Sequence, residues 1–170
     1  ESRQGEGNFI VDYIDESFFE PLSILFKLHN GTFRDILEIR LVLEVEAAGL
    51  AAERVTEEGI TRLSSLCEEL KTCTNEERSV GIDKDIHYHI AKATKNYLII
   101  MFLEGISFIL TKHIKDARQV ILTAMHERGI LLSIHTNVVD AIIARDPEKA
   151  KKKMREHFEA VIASLPDYGS

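Results

Sequence analysis

The chain has 170 residues, 45% of them hydrophobic, enough for one domain with a substantial core. It carries 28 acidic against 21 basic residues, a formal net charge of −7. Phosphate neutralisation dominates nucleic-acid affinity, so this balance argues against a domain that grips DNA or RNA by itself.

The first dozen residues differ in kind from the rest. Gln4 to Val11 contains two glycines followed by β-favouring residues, and reads as the second half of a hairpin. A hairpin strand without its partner is not a complete element, so the chain is expected to begin mid-domain. From about residue 15 the apolar residues recur with helical periodicity. A first helix is expected over 16–28, stopped at His29-Asn30-Gly31. Thr32 is the N-cap of a long second helix through Arg54. The third begins near Thr56 and ends near Thr74-Asn75, and the fourth covers about 77–94. The fifth starts at Tyr97 and runs to about Thr123; it is very apolar to Leu110 but carries Glu104. No apolar run approaches the ~18 residues that span a bilayer. Gly129 marks a break at or before the start of the sixth helix, which ends at Arg145. Asp146-Pro147 starts the seventh, with Asp as cap and Pro in the first turn, and Pro166 stops it. The basic run Lys149 to Lys153 lies on this last helix among glutamates and reads as a solvated face.

Cys67 and Cys73 fit neither a zinc knuckle nor a C-x-x-C redox pair, and no signal peptide is evident. Reduced cysteines and a cytoplasmic location are expected.

The chemistry is concentrated in the histidines. Asp83 and His87 are one helical turn apart, so both side chains can reach one ion. His87 shares its helix face with Ile90 and Ala91, His135 with Val138, Val139 and Ile142, and His157 with Met154 and Val161. Apolar faces enter the core, where unpaired polar groups cost several kcal/mol. Either each imidazole finds its own carbonyl, or the three meet with Asp83 around a shared metal. Such a donor set suits Zn²⁺, Ni²⁺, Fe²⁺ or Mn²⁺ without choosing among them. His29, His89 and His126 read as surface or helix-end residues, and His113 could face either way. No histidine follows a glutamate by three residues, which argues against a ferritin-like di-iron bundle. His126-Glu127 opens like a zincin motif without the second histidine, and no nucleophile elbow is present. A non-enzymatic role is expected, with a metal hydrolase as the remote alternative.

Several segments resemble one family. Glu38, Arg40, Leu43, Glu44, Ala47, Ala48, Leu50, Ala51 and Ala52 follow E-x-R-x-x-L-E-x-x-A-A-x-L-A-A. Asp83, His87, Ile90, Ala91, Ala93 and Asn96 follow D-x-x-F-H-x-x-I-A-x-A-x-x-N, with Ile86 in place of Phe and Lys95 in place of a frequent Gly. His135, Val138, Ala141, Ile142 and Asp146 follow H-x-x-I-x-x-A-I-x-x-x-D, and Ala150, Met154 and His157 the closing A-x-x-x-M-x-x-H. These patterns resemble the FadR-type C-terminal (FCD) domain of GntR-family transcription regulators, over roughly residues 15–164. Gly5, Gly7, Phe9 and Ile10 resemble the end of that family's winged-helix wing, and the helix carrying Glu20-Pro21-Leu22 its seven-helix subgroup.

The resemblance implies an all-α antiparallel bundle of about seven helices, with a wing remnant and linker over 1–14, the helical effector-binding and dimerisation domain over 15–165, and a tail over 166–170. It places the metal ligands on Asp83, His87, His135 and His157, with Zn²⁺ or Ni²⁺ first and Mn²⁺ or Fe²⁺ as alternatives. It also implies a small carboxylate effector, a homodimer, and operator DNA bound through an N-terminal domain absent here, with no membrane role. Acyl-CoA is not carried over, because the acyl-CoA-binding member lacks this histidine set. Arg40 is the first candidate to clamp the effector carboxylate, the alternative being a helix-surface salt bridge to Glu44 at i+4. Arg118 and Asn137 are further candidates for the effector pocket.

Overall fold

A computed structural model describes residues 2–3, 7–8, 16–113 and 128–163. Seven α-helices lie among these residues: α1 (Glu20–Leu28), α2 (Phe33–Arg54), α3 (Glu57–Thr72), α4 (Glu76–Ala93), α5 (Tyr97–His113), α6 (Arg128–Ile143) and α7 (Pro147–Ala163). A 3₁₀ turn, Glu16–Phe19, leads into α1. Pro21 sits in the first turn of α1, where its missing N–H costs no helix bond. The all-α bundle expected from the sequence is observed.

Short polar side chains set where the helices start. Thr32 accepts the Asp35 N–H, and the Asp35 carboxylate accepts the Thr32 N–H in return, a reciprocal box that opens α2. Thr56, Asn75, Asn96 and Asp146 cap α3, α4, α5 and α7 in the same way through one side-chain oxygen each. Three helices end on residues in the left-handed region: Asn30 (φ 52°) after α1, Lys95 (φ 52°) after α4 and Arg145 (φ 53°) after α6. After α1, the amides of Asn30 and Gly31 turn back onto the carbonyls of Lys27 and Phe26 at 3.1 and 2.8 Å. The left-handed residue is therefore Asn30 rather than Gly31.

One expectation changes: the strand expected to lack its partner pairs, at Gly7–Asn8, antiparallel with Ser2–Arg3. Gly129 lies in the first turn of α6, which begins at Arg128. The expected continuation of α5 beyond His113 and the stop at Pro166 lie outside the described residues. No helix among the described residues is long and apolar enough to cross a membrane.

α2 is the central helix. It packs against α4, α5, α6 and α7, most extensively against α7. Small side chains make this possible: Ala47, Ala48, Ala51 and Ala52 are all completely buried. The main core joins Ala48, Ala51 and Ala52 to Leu63 and Leu66 of α3, Ile82, Ile86 and Ile90 of α4, Val139 and Ile142 of α6, and Met154 and Phe158 of α7. A smaller cluster, Ile36 with Ile106 and Ile109, joins α2 to α5 and touches Phe26 of α1.

Candidate metal centre

The apolar stripes of α4, α6 and α7 carry three imidazoles to one point. Ile90, Val138, Val139, Ile142, Met154 and Val161 are all buried in the core. Their helix partners His87, His135 and His157 therefore face inward, and one ring nitrogen from each lies within 4.8 Å of the other two. His87 Nε2 and His135 Nε2 are 3.3 Å apart. Two nitrogens bound to one Zn²⁺ at about 2.0–2.1 Å and the tetrahedral angle stand about 3.3–3.4 Å apart, so this spacing suits a shared ion. Asp83, one turn before His87, places Oδ1 2.9 Å from His135 Nε2. Its side chain is 30% exposed against 4% for His135, so the cluster opens toward solvent on the Asp83 side.

His157 is the most telling member. It is buried, and among the described residues its Nδ1 has no hydrogen-bond partner. An unsatisfied buried polar atom costs about 1–3 kcal/mol. Burial, then the neighbouring imidazoles of His135 and His87, holds the His157 pKa well below the usual histidine value. A neutral imidazole with a free lone pair is the form a metal requires.

Sequence reasoning missed Glu44. Its carboxylate is buried and accepts two hydrogen bonds, from His87 Nδ1 and from Arg40 Nε, the latter at 2.6 Å. Burial would raise its pKa, but the Arg40 guanidinium and the His87 imidazole outweigh that and hold it well below the usual carboxylate range. An ionised carboxylate only accepts, so His87 Nδ1 is the donor and the ring's other nitrogen, Nε2, is the one turned to the cluster. A signal was present in the sequence: Leu37, Glu44, Ala48 and Ala51 recur at core spacing, and the other three are buried.

The salt bridge between Arg40 and Glu44 exists, but it is part-buried, with Glu44 in the core, rather than on the open helix surface. The Arg40 guanidinium also lies over the Phe158 ring, 5.2 Å from its centroid. Arg40 thus reaches the cluster through Glu44. Asn137 does not join it: it is exposed and, two residues past His135, sits about 200° further round α6. Arg118 lies outside the described residues, as does His126. His29 is exposed at the end of α1, and His89 faces Arg62 Nε at 3.4 Å. Cys67 and Cys73 are both free thiols.

Residues 35–160 match the FCD domain family. The chain belongs to the FCD domains of GntR-family regulators. It is 30% identical over 148 residues to the HTH-type transcriptional regulator YcbG of Bacillus subtilis, covering 86% of this chain and 60% of that protein. It is also 30% identical over 170 residues to the "Putative L-lactate dehydrogenase operon regulatory protein" of Escherichia coli, covering 96% of this chain and 65% of that one. The chain thus spans less than two thirds of the length of either relative. Among solved structures, Streptococcus agalactiae GntR superposes with a TM-score of 0.68 at 23% identity, covering 97% of this chain and 74% of that one, which shows a shared fold.

Proposed function

We propose that this FCD domain is the sensor of a DNA-binding transcription regulator, in which Asp83, His87, His135 and His157 hold one divalent transition metal and a small carboxylate binds beside it. The observation that carries the reading is the convergence of three inward-facing imidazoles, with one ring nitrogen from each within 4.8 Å of the other two, beside the Asp83 carboxylate. The ion supplies a fixed positive charge and an open coordination position for an anionic ligand. Charge supports the class of effector. Arg40 offsets Glu44, so a divalent ion with Asp83 leaves one positive charge in a largely buried site, which one carboxylate neutralises. The name of the E. coli relative, which ties it to an L-lactate dehydrogenase operon, agrees with a small hydroxy acid. Zn²⁺ and Ni²⁺ suit three imidazoles and one carboxylate best, and Mn²⁺ and Fe²⁺ are the alternatives. In the whole regulator, operator DNA is bound through a separate winged-helix domain within a homodimer. The effector acts by binding two arrangements of the protein with different affinity.

The test is the metal content of untagged protein purified without chelator, repeated on His157→Ala. About one equivalent of a transition metal, lost in the variant, is the expected result. Lactate, glycolate and citrate then raise the melting temperature of loaded protein and leave stripped protein unchanged. A chain that arrives empty and refuses added Zn²⁺, Ni²⁺ and Mn²⁺ overturns the reading. A second reading, a purely structural ion, is favoured by the fact that the ligands join three helices, α4, α6 and α7. It predicts metal uptake with no carboxylate response.

A further inference from the structure

Glu44, buried on α2, bonds His87 Nδ1 and pairs with the half-buried Arg40 one turn before it. We infer that Glu44 is a positioning residue for the metal site: its carboxylate fixes His87 in the Nδ1–H form, so that Nε2 carries the lone pair. The proposal rests on the metal reading above. Three observations carry it. Glu44 Oε2 accepts from His87 Nδ1, which leaves Nε2 of the same ring 3.3 Å from His135 Nε2. Glu44 Oε1 is held by Arg40 Nε at 2.6 Å, so the carboxylate cannot rotate without breaking a part-buried ion pair. Arg40 in turn is packed against Phe158, whose ring lies 4.9 Å from that of His157 and 6.1 Å from that of His87.

The physical consequence is twofold. An imidazole that donates one N–H to a carboxylate is a more basic ligand at its other nitrogen, and its ring plane is set before any ion arrives. Arg40 keeps Glu44 ionised, so the carboxylate orients His87 without adding net negative charge to the site. The Arg-Glu pair of α2 thereby joins the central helix to a cluster whose ligands all come from other helices.

Affinity for Co²⁺ and Zn²⁺, by competition with a chromogenic chelator, tests this in wild type and in Glu44→Gln and Glu44→Ala, with circular dichroism of each stripped protein. Removing such a partner typically weakens metal binding about 10–100-fold. Glu44→Gln, which keeps an acceptor and loses the charge, is expected near the lower end, and Glu44→Ala near the upper. A purely structural role for Glu44 predicts altered folding of the stripped variants with unchanged affinity in whatever fraction folds. Long-range ¹H–¹⁵N spectra of Zn²⁺-loaded wild type give a readout that needs no variant: His87 should show a protonated Nδ1 and a metal-shifted Nε2. Wild-type affinity in Glu44→Gln, or His87 bound through Nδ1, overturns this proposal alone. A wild-type chain that binds neither Co²⁺ nor Zn²⁺ overturns the metal reading and this proposal with it.

Discussion

The two sides of α2 bury opposite kinds of residue. Toward α4, α6 and α7, the interior holds His135, His157 and Glu44 alongside large apolar side chains. Toward α1 and α5, only Ile36, Ile106 and Ile109 form a buried cluster, while Phe18, Leu28, Tyr97, Leu98 and Phe102 are left exposed. His157 is 5% exposed and Leu28 is 70% exposed, the reverse of what their hydrophobicity dictates. Burying a leucine or phenylalanine is worth about 1.5–3 kcal/mol, whereas burying an unpartnered polar group costs free energy. Packing alone explains neither side. On the histidine side, the polar groups recover their cost from one another through Glu44, Arg40 and Asp83, with the exception of His157 Nδ1. Among the described residues of the α1–α5 side, an exposed ion pair between Lys112 and Glu20 joins the two helices.

The contrast can be broken most severely at Phe158. This ring is completely buried between Arg40, His87 and His157. Phe158→Ala is expected to cost about 3–5 kcal/mol in chemical denaturation and to weaken metal binding as the rings around it relax. The same truncation at Phe102, 52% exposed on α5, should fall within about 0.5 kcal/mol of wild type. Comparable losses at the two positions would mean that the α1–α5 side is more tightly packed than its exposure indicates.

Stripping the metal is the next largest effect. At free ion 100-fold above the dissociation constant, binding to the folded state alone stabilises by about 2.7 kcal/mol. A chelator should therefore lower the melting temperature, with hydrogen exchange rising first in α4, α6 and α7. Equal loss of protection in α1 would show that the two sides unfold as one unit. The smallest effect is at Lys95, held at φ 52° between α4 and α5. A left-handed residue other than glycine costs about 1–2 kcal/mol, part of which glycine returns as unfolded-state entropy. Lys95→Gly should raise stability by roughly 0.5 kcal/mol without altering metal affinity.

Helix starts were legible because their caps are local. Thr32, Thr56 and Asp146 each satisfy an amide three residues away, so nothing distant is needed to place them. The histidines were legible for a related reason: each rides an apolar stripe whose direction the 3.6-residue period fixes. Glu44 was misplaced because its i−4 neighbour, Arg40, offered an ordinary surface partner. Which of two charged residues is exposed depends on what the opposing helix brings, and His87 lies 43 residues away. Asn137 failed for a simpler reason. It was chosen for its chemistry, and its helical phase relative to His135 points it outward. The resemblance to FCD domains carried the ligand set, but neither the pattern nor the periodicity says that α2 reaches that set through a carboxylate.

The cluster is assembled from two blocks of the chain. Asp83 and His87 ride on α4, while His135 and His157 ride on α6 and α7, which a three-residue turn centred on Arg145 ties into a hairpin. Each block brings two of the four side chains, so the cluster bridges two stretches of chain that meet in one core. A bond across a joint acts as a caliper: its length fixes the gap between the jaws. Displacements of a few tenths of an ångström, too small to notice in a packed core, become large errors in coordination distance. On the metal reading proposed above, an ion held by both jaws would convert its own size and charge into a setting of the gap between α4 and the α6–α7 hairpin.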